Sequence, residues 1–507
     1  MPELKLTKDT VCVTETLLDT AAEQPVELDY SLPDYYPSIF RLLKTSVRPV
    51  IHQTRIAGNR LTVDGICKVT VLYIGEEDDS VRTVEQTLPF SRTLELKGES
   101  DLPAVRCFCR CYHASGRAVS PRRIDVRGGV SIRVKVTAQK EIPVISSASG
   151  GGVQLHRIAG SFCGRRKTSV KPFSVSEELE LPQTKPAFGS LVSSRTAVRT
   201  DDVKIIANKV ICRGELICHI LYLPEGGGRP EPMEYTLPIS QIADLPGVDE
   251  DDTVDARFET VNFLIEPMPD GNGRKLEAEW TMTLSCVSDR LKETAAADDV
   301  YSTRCLVEAG KKELKAERLA GSLDSQQQLR AVLNTDPVTE VSEVLAHIAE
   351  ISARSENGTV LVSGMLELCA LCFGEGAPFA VEKTVPFEFA SSCRAEGEIS
   401  CIPAAQILSV SHALTGENAV EVRVQIQISG TVCERVTAGL ITDLRLDEEN
   451  PLPPSPCALR IYYGEPGETV WDIARRFSAP VTAVMEENDL DGETLREKQM
   501  LLIPSED

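Results

Sequence analysis

The sequence predicts a mostly β protein: three tandem, antiparallel, sandwich-like units followed by a small βααβ module. Three observations carry this. Landmark residues recur at a fixed long period, the hydrophobic period inside each recurrence is two, and only the last fifty residues change to a helical period.

The long period is read from three landmarks. "NRLTVDGICKVTVLYI", "NKVICRGELICHILYL" and "GTVLVSGMLELCALCF" align on Gly65, Gly214 and Gly364, spaced 149 and 150 residues apart. "TLPF", "TLPI" and "TVPF" follow them, placing Pro89, Pro238 and Pro386 at spacings of 149 and 148. "LPDYYP", "LPQTKP" and "LNTDP" precede them and end on Pro37, Pro186 and Pro337, spaced 149 and 151. The units are expected to span 1–146, 153–297 and 303–447. The first two boundaries fall in "SSASGGG" and the polar "TAAADD"; a stiff, Pro-rich linker is expected over 448–457 and the terminal module over 458–507.

Within a unit, Leu61, Val63, Val69 and Val71 alternate with polar residues, as do "VSIRVKVTA", "WTMTLSCVS" and "VEVRVQIQISGTV". Alternation of β-branched with polar residues marks strands with one wet face. Gly, Pro, Asn and Asp clusters such as "GEEDDS", "PDGNGR" and "LTGENA" punctuate them as turns. Helical pattern is scarce: "PSIFRLLKT" after Pro37 and "VTEVSEVLAHIAE" after Pro337 are each expected to be a short helix or turn. Each unit is long enough to bury its own core.

Composition narrows the functional classes. The 507 residues carry a formal charge of −22, which disfavours nucleic acid and anionic membrane as partners. The start "MPELKLTKDTVCVTET" lacks a basic n-region and apolar run, so no secretory leader is expected, and no apolar stretch reaches the ~18 residues of a membrane span. Sixteen cysteines in such a chain read as reduced thiols in strands, consistent with a cytosolic protein.

The catalytic motifs are missing. The six histidines, His52, His113, His156, His219, His347 and His412, show no HExxH spacing, and no GxSxG elbow, phosphate loop or dinucleotide fingerprint is present. The "GGG" runs at Gly150 and Gly226 read as linker or hairpin glycines. Cys369 and Cys372 of "CALC" lie inside a strand pattern, where an offset of three points them to opposite faces. In "CFCRCYH", an offset of two places Cys107, Cys109, Cys111 and His113 on one face. Neighbours on that face are about 6.6 Å apart, too far for one zinc ion with bonds of about 2.0–2.3 Å, so the row reads as a buried apolar face. No cofactor, metal or catalytic residue is expected.

The tail reads differently. "LRIYYG" is a short strand, Pro466-Gly467 suits the centre of a tight turn, and Thr469 stands where an N-cap hydroxyl belongs. Val470, Ile473, Ala474 and Phe477 form one helical stripe, "PVTAVMEEN" is a second helix with Pro at its start, and "MLLIP" closes the module as a strand.

Those residues resemble a LysM domain. Its "GDTLWxIAxxF" pattern appears as Gly467 to Phe477, its "N-x-L" as Asn488-Asp489-Leu490, and its closing "LxIP" as Leu501 to Pro504. The chain departs from the pattern at Glu468, where Asp is usual, and at Lys498, where Gly is usual. The resemblance implies a binding groove formed by Gly467, Glu468, Thr469, Val470 and Trp471 together with Asn488, Asp489, Leu490 and Asp491. The tail is acidic, with eleven Asp and Glu against five Lys and Arg from Leu459 onward.

The repeats, through "LPDYYPSIFRLLK", "LTVDGICKVTVLY" and "TLPF", are similar to the SPOCS domain of endospore-forming bacteria, with Ser38 where that family often has Asp. SPOCS copies followed by one LysM is the layout of spore-coat morphogenetic proteins of the clostridial type. The resemblance implies a non-enzymatic scaffold in the mother-cell cytoplasm, at the forespore surface or spore coat. Its LysM domain would dock a coat morphogenetic ATPase, with other spore-coat proteins as further partners. The alternative is peptidoglycan binding, through N-acetylglucosamine, in cortex or wall. A glycan hydrolase would need paired carboxylates in a cleft, whereas the acidic residues here gather in turns.

Overall fold

The computed structural model describes residues 4–76, 80–98, 103–164, 166–269, 272–453 and 457–505. The expected turns "GEEDDS" and "PDGNGR" and the Pro-rich linker fall partly outside these residues.

The first unit is β1 (Lys5–Ser31), β2 (Ile39–Ala57), β3 (Arg60–Gly75), β4 (Val81–Glu95), β5 (Pro103–Ser120) and β6 (Arg123–Ser149). The second repeats this plan as β7 (Val153–Cys163), β8 (Lys167–Glu180), β9 (Phe188–Ile206), β10 (Lys209–Pro224), β11 (Glu231–Asp244), β12 (Thr253–Pro267), β13 (Lys275–Asp289) and β14 (Leu291–Ser302). The third is β15 (Cys305–Asn334), β16 (Glu340–Glu356), β17 (Thr359–Phe373), β18 (Phe379–Arg394), β19 (Ile399–Cys401), β20 (Ala404–Leu414) and β21 (Ala419–Pro451).

Each unit is a sandwich. A sheet in the order β2-β3-β4 faces a sheet in the order β1-β6-β5, and β9-β10-β11 faces β8-β13-β12 in the same way. The alternation in β3 and β6 is what closes the first core, where Leu61, Val63, Val69 and Val71 meet Ile124, Val126, Ile132 and Val134 with no more than 1% of any side chain exposed. Pro89, Pro238 and Pro386 lie on β4, β11 and β18, each the edge of its three-stranded sheet, where a missing N–H costs no ladder bond.

The two segments expected as short helices are strands: Ile39–Ala57 is β2 and Glu340–Glu356 is β16. The cause is bulging. β2 leaves Leu43 and His52 unpaired, and β16 leaves Ser342 and Ala349 unpaired. Each bulge shifts the inward phase by one, so Val341, Val344, Ile348 and Ile351 all face the third core and, with Leu345 on the ring's centre, imitate helical spacing along a strand. The same bulge recurs at Val192 in β9.

The three sandwiches close into a ring. Lys68 donates to Asn262 (3.5 Å) between the first and second units. Gln406 accepts from Val198 N (2.9 Å) and donates to Phe258 O (3.3 Å) between the second and third. Lys44 pairs with Glu382 (2.6 Å) and Arg110 with Glu350 (2.8 Å) between the third and first. At the centre, the equivalent residues Leu72, Leu221 and Leu371 form one buried cluster, which the bulged Leu43 and Val192 join.

Beyond the sandwiches, the outer parts of β1 with β6, β7 with β14, and β15 with β21 continue as ribbons into a shared hub. There the equivalent pairs Val144-Ile145, Ala296-Ala297 and Leu440-Ile441 are buried together. The polar stretch "TAAADD" is therefore part of β14, with Ala296 and Ala297 in the hub and Ala295 exposed.

The tail is β22 (Leu459–Gly464), α1 (Val470–Phe477), α2 (Val481–Glu487) and β23 (Gln499–Pro504), with β22 antiparallel to β23.

Candidate functional site

The terminal module is pinned by its turn. Glu468 N donates to Glu465 O (3.2 Å) around Pro466-Gly467, and Gly467 has φ +92°, the left-handed value a type II turn demands at that position. Thr469 then caps α1: its hydroxyl accepts from Asp472 N (3.1 Å) and donates to the Asp472 carboxylate (2.6 Å). The helix ends at Ser478, in the left-handed region, with Ala479 N donating back to Ala474 O (3.0 Å).

The first predicted loop is tied to the segment 493–495, just beyond the second. Gly467 N donates to Leu495 O, Leu495 N to Glu468 O, and Val470 N to Glu493 O, all at 2.8–2.9 Å, with a β-bridge between Thr469 and Thr494. Gly467, Asp489 and Asp491 are exposed, and Glu468, Thr469, Asn488 and Leu490 are partly so. With Glu465, Asp472 and Glu493 also exposed, the rim is strongly acidic.

Not every predicted residue is free for a ligand. Val470 is buried in the module core. The Asn488 amide donates to Val484 O (2.8 Å) and Leu502 O (2.7 Å) and accepts from Leu502 N (2.6 Å), so it braces α2 against β23. The Glu468 carboxylate accepts from Glu465 N (2.8 Å) and from the Tyr462 hydroxyl (2.8 Å), and those bonds hold it below the usual carboxylate range. Lys498 pairs with Glu465 (2.5 Å). Both departures from the LysM pattern thus fasten the same turn.

Trp471 faces the repeats. Its indole N–H donates to Asp299 Oδ2 (2.9 Å), its ring lies 4.9 Å from Tyr301 and 5.2 Å from His156, and Arg475 pairs with the same Asp299. Tyr301 is a member of the module's own core and donates its hydroxyl to Ala479 O (2.6 Å). Sequence reasoning missed Asp299 and Tyr301, because β14 carries no pattern that announces a surface for another module.

The cysteine row needs one correction. Cys107, Cys109 and Cys111 pair with the buried Val134, Ile132 and Val130 and pack against the first core. Burial pushes the Cys107 thiol up to about 11 and the Cys109 thiol up to about 12, which keeps both protonated. A bulge at Tyr112 turns His113 to the other, exposed face, so the four do not share one side. Cys369 and Cys372 are both buried within β17.

Fold and site together define a class of architecture: tandem β-sandwiches followed by one compact βααβ module. The comparisons refine this. The family model "SipL, SPOCS domain" matches residues 38–113 and 189–265, at corresponding places in the first and second units, and the LysM domain model matches residues 465–504. The chain combines SPOCS-domain segments with a C-terminal LysM domain, both non-catalytic families, and this content supports a sporulation-associated protein of the peptidoglycan-binding type. Searches of the curated proteins and of the solved structures found no match. Among the described residues no helix is long and apolar enough to cross a membrane.

Proposed function

We propose that this chain is a non-enzymatic scaffold for endospore coat assembly, working in the mother-cell cytoplasm at the forespore surface or in the coat. Its LysM domain docks a coat morphogenetic ATPase, and the ring of sandwiches offers surfaces to other spore-coat proteins. The observation that carries this reading is the fixed seat of the LysM domain on Asp299 and Tyr301, which presents the acidic loops in one orientation relative to the ring. An acidic rim suits a basic protein surface, through steering and specificity more than raw affinity. The second reading, peptidoglycan binding through the same loops, is favoured by the LysM match itself.

The full chain is the right reagent, because Tyr301 completes the LysM core. It is offered purified peptidoglycan and, separately, the coat ATPase of the same organism. The scaffold reading expects capture of the ATPase, weakened at least tenfold when the exposed Asp489 and Asp491 are both changed to Lys. Retention on peptidoglycan with no capture of the ATPase sinks it in favour of the glycan reading.

A further inference from the structure

The hub where the three units meet contains a buried ionic knot. Arg166 donates to Asp289 (2.7 Å) in its own unit and to Glu317 (3.3 Å) in the third, while its backbone N–H donates to the Gln139 side chain (2.5 Å) in the first. Beside it lie two thiols from different units: Cys163, at the end of β7, and Cys433, on β21, with their sulfurs 3.9 Å apart. The Arg166 guanidinium also points at Cys433 Sγ, 3.8 Å away. Both cysteines are free and no more than 3% exposed.

Burial does not isolate them. Cys163 lines a cleft of about 530 Å³ between the first and second units, whose walls also carry Lys167, Arg290 and Lys292. All three cations are ion-paired, Lys167 with Asp252, Arg290 with Asp249 and Asp252, and Lys292 with Asp9, and Glu141 lines the same cleft, so the opening is polar without a cationic excess. The cleft therefore gives a small oxidant a route to one thiol of a pair whose second thiol is already in contact.

We propose that Cys163 and Cys433 form a redox-responsive pair, closing to a disulfide that staples the second unit to the third when a low-molecular-weight disulfide of the glutathione type enters this cleft. Cys163, as its thiolate, attacks one sulfur of the oxidant, forming a mixed disulfide and releasing one thiolate. Cys433, as its thiolate, then attacks Cys163 Sγ and expels the second. Two thiols are oxidised, two electrons pass to the oxidant, and the two protons end on its two released thiols. The sulfurs need only close by about 2 Å to reach bonding distance. Arg166 sits where negative charge gathers on Cys433 during the second step. The hydrogen bond to Cys433, and then burial, push the Cys163 thiol up, so the reaction is slow at neutral pH and accelerates as pH rises.

The test is a peptide map of the full chain after incubation with glutathione disulfide under native conditions, with free thiols blocked before digestion. The expected product is a linked peptide pair holding Cys163 and Cys433, lighter by two hydrogens and separated by reductant, and formed several times faster at pH 9 than at pH 7. In Cys433→Ser, Cys163 is expected to retain a glutathione adduct, since nothing remains to expel it. The proposal is overturned if the exposed Cys457 is modified while Cys163 and Cys433 remain free thiols. It is equally overturned if the link appears only after the chain is unfolded in urea, or if Cys163 pairs with a different cysteine. The wild-type map decides the matter even if the serine variant fails to fold.

Discussion

Gly65 and Gly364 are demanded by crowding. A Cβ at Gly65 would stand 2.4 Å from Phe90 Cζ and 2.5 Å from Val50 O; at Gly364 it would stand 2.4 Å from Phe387 Cζ and 2.3 Å from Glu350 O. The backbone carbonyl cannot step aside, so the recurring glycine and the aromatic after the recurring proline are two halves of one contact. Gly364→Ala is expected to destabilise the chain by about 1–3 kcal/mol, read as a lower midpoint in urea with an unchanged slope. The buried Tyr222 makes a similar argument. Its hydroxyl donates to Pro186 O (2.7 Å), as Tyr73 does to Pro37 O (3.3 Å), and the third unit has Cys372 at that position. Tyr222→Phe removes this part-buried hydrogen bond and should cost about 0.5–1.5 kcal/mol, read as a lower midpoint in a thermal melt. In the LysM domain, Asn488→Ala removes three hydrogen bonds to backbone at once. It is expected to raise amide exchange at Leu502 and along β23 before it affects the repeats.

At the level of elements, legibility followed periodicity. Strands such as β3 and β10, whose first halves alternate buried with partly exposed residues, were plain from that alternation. The LysM domain was plain from its turn, its cap and its helical stripe. β2 and β16 were not, because their bulges destroy the period of two, and helix-forming residues such as Leu345, Ala346 and Glu350 were overridden by pairing on the neighbouring strand. The ring and hub were hidden as well. What joins the units is residues such as Ala296 and Ala297, which announce nothing until they meet Val144 and Leu440 from elsewhere. Of the candidate site, the exposed Gly467, Asp489 and Asp491 were named from the sequence, but the seat of Trp471 on Asp299 was not. That seat can be tested optically. Trp280 is fully buried in the second core, so a change in tryptophan emission reports Trp471. Asp299→Ala combined with Tyr301→Ala is expected to shift emission to the red and raise its quenching by iodide. Unchanged emission would mean that the LysM domain holds its place by other contacts.

At the level of the whole molecule, the ring's seams carry ionisable groups. Between the second and third units, His219 Nε2 lies 3.2 Å from Glu343 Oε2, with Arg195 and Glu234 near the same carboxyl. Burial pushes Glu343 up to about 7 from 4.5 and His219 down to about 4 from 6.5. A carboxyl raised on folding takes stability away as pH climbs from 4.5 through 7; an imidazole lowered on folding takes it away as pH falls from 6.5 through 4. At pH 6 the contact is therefore an uncharged carboxyl beside a neutral imidazole. Glu343→Gln, which keeps the shape without the charge, should stabilise the chain by about 1–3 kcal/mol at pH 8 and by almost nothing at pH 5 in paired thermal melts. The closure of the ring has a wider consequence. A trimer of separate chains would fall apart on dilution and would present three identical heads; here the three sandwiches are covalently consecutive, so their meeting is set by chain length and not by concentration. One chain thus breaks the equivalence of its three near-threefold sides, because a single LysM domain marks one of them, and no threefold-symmetric trimer could do that.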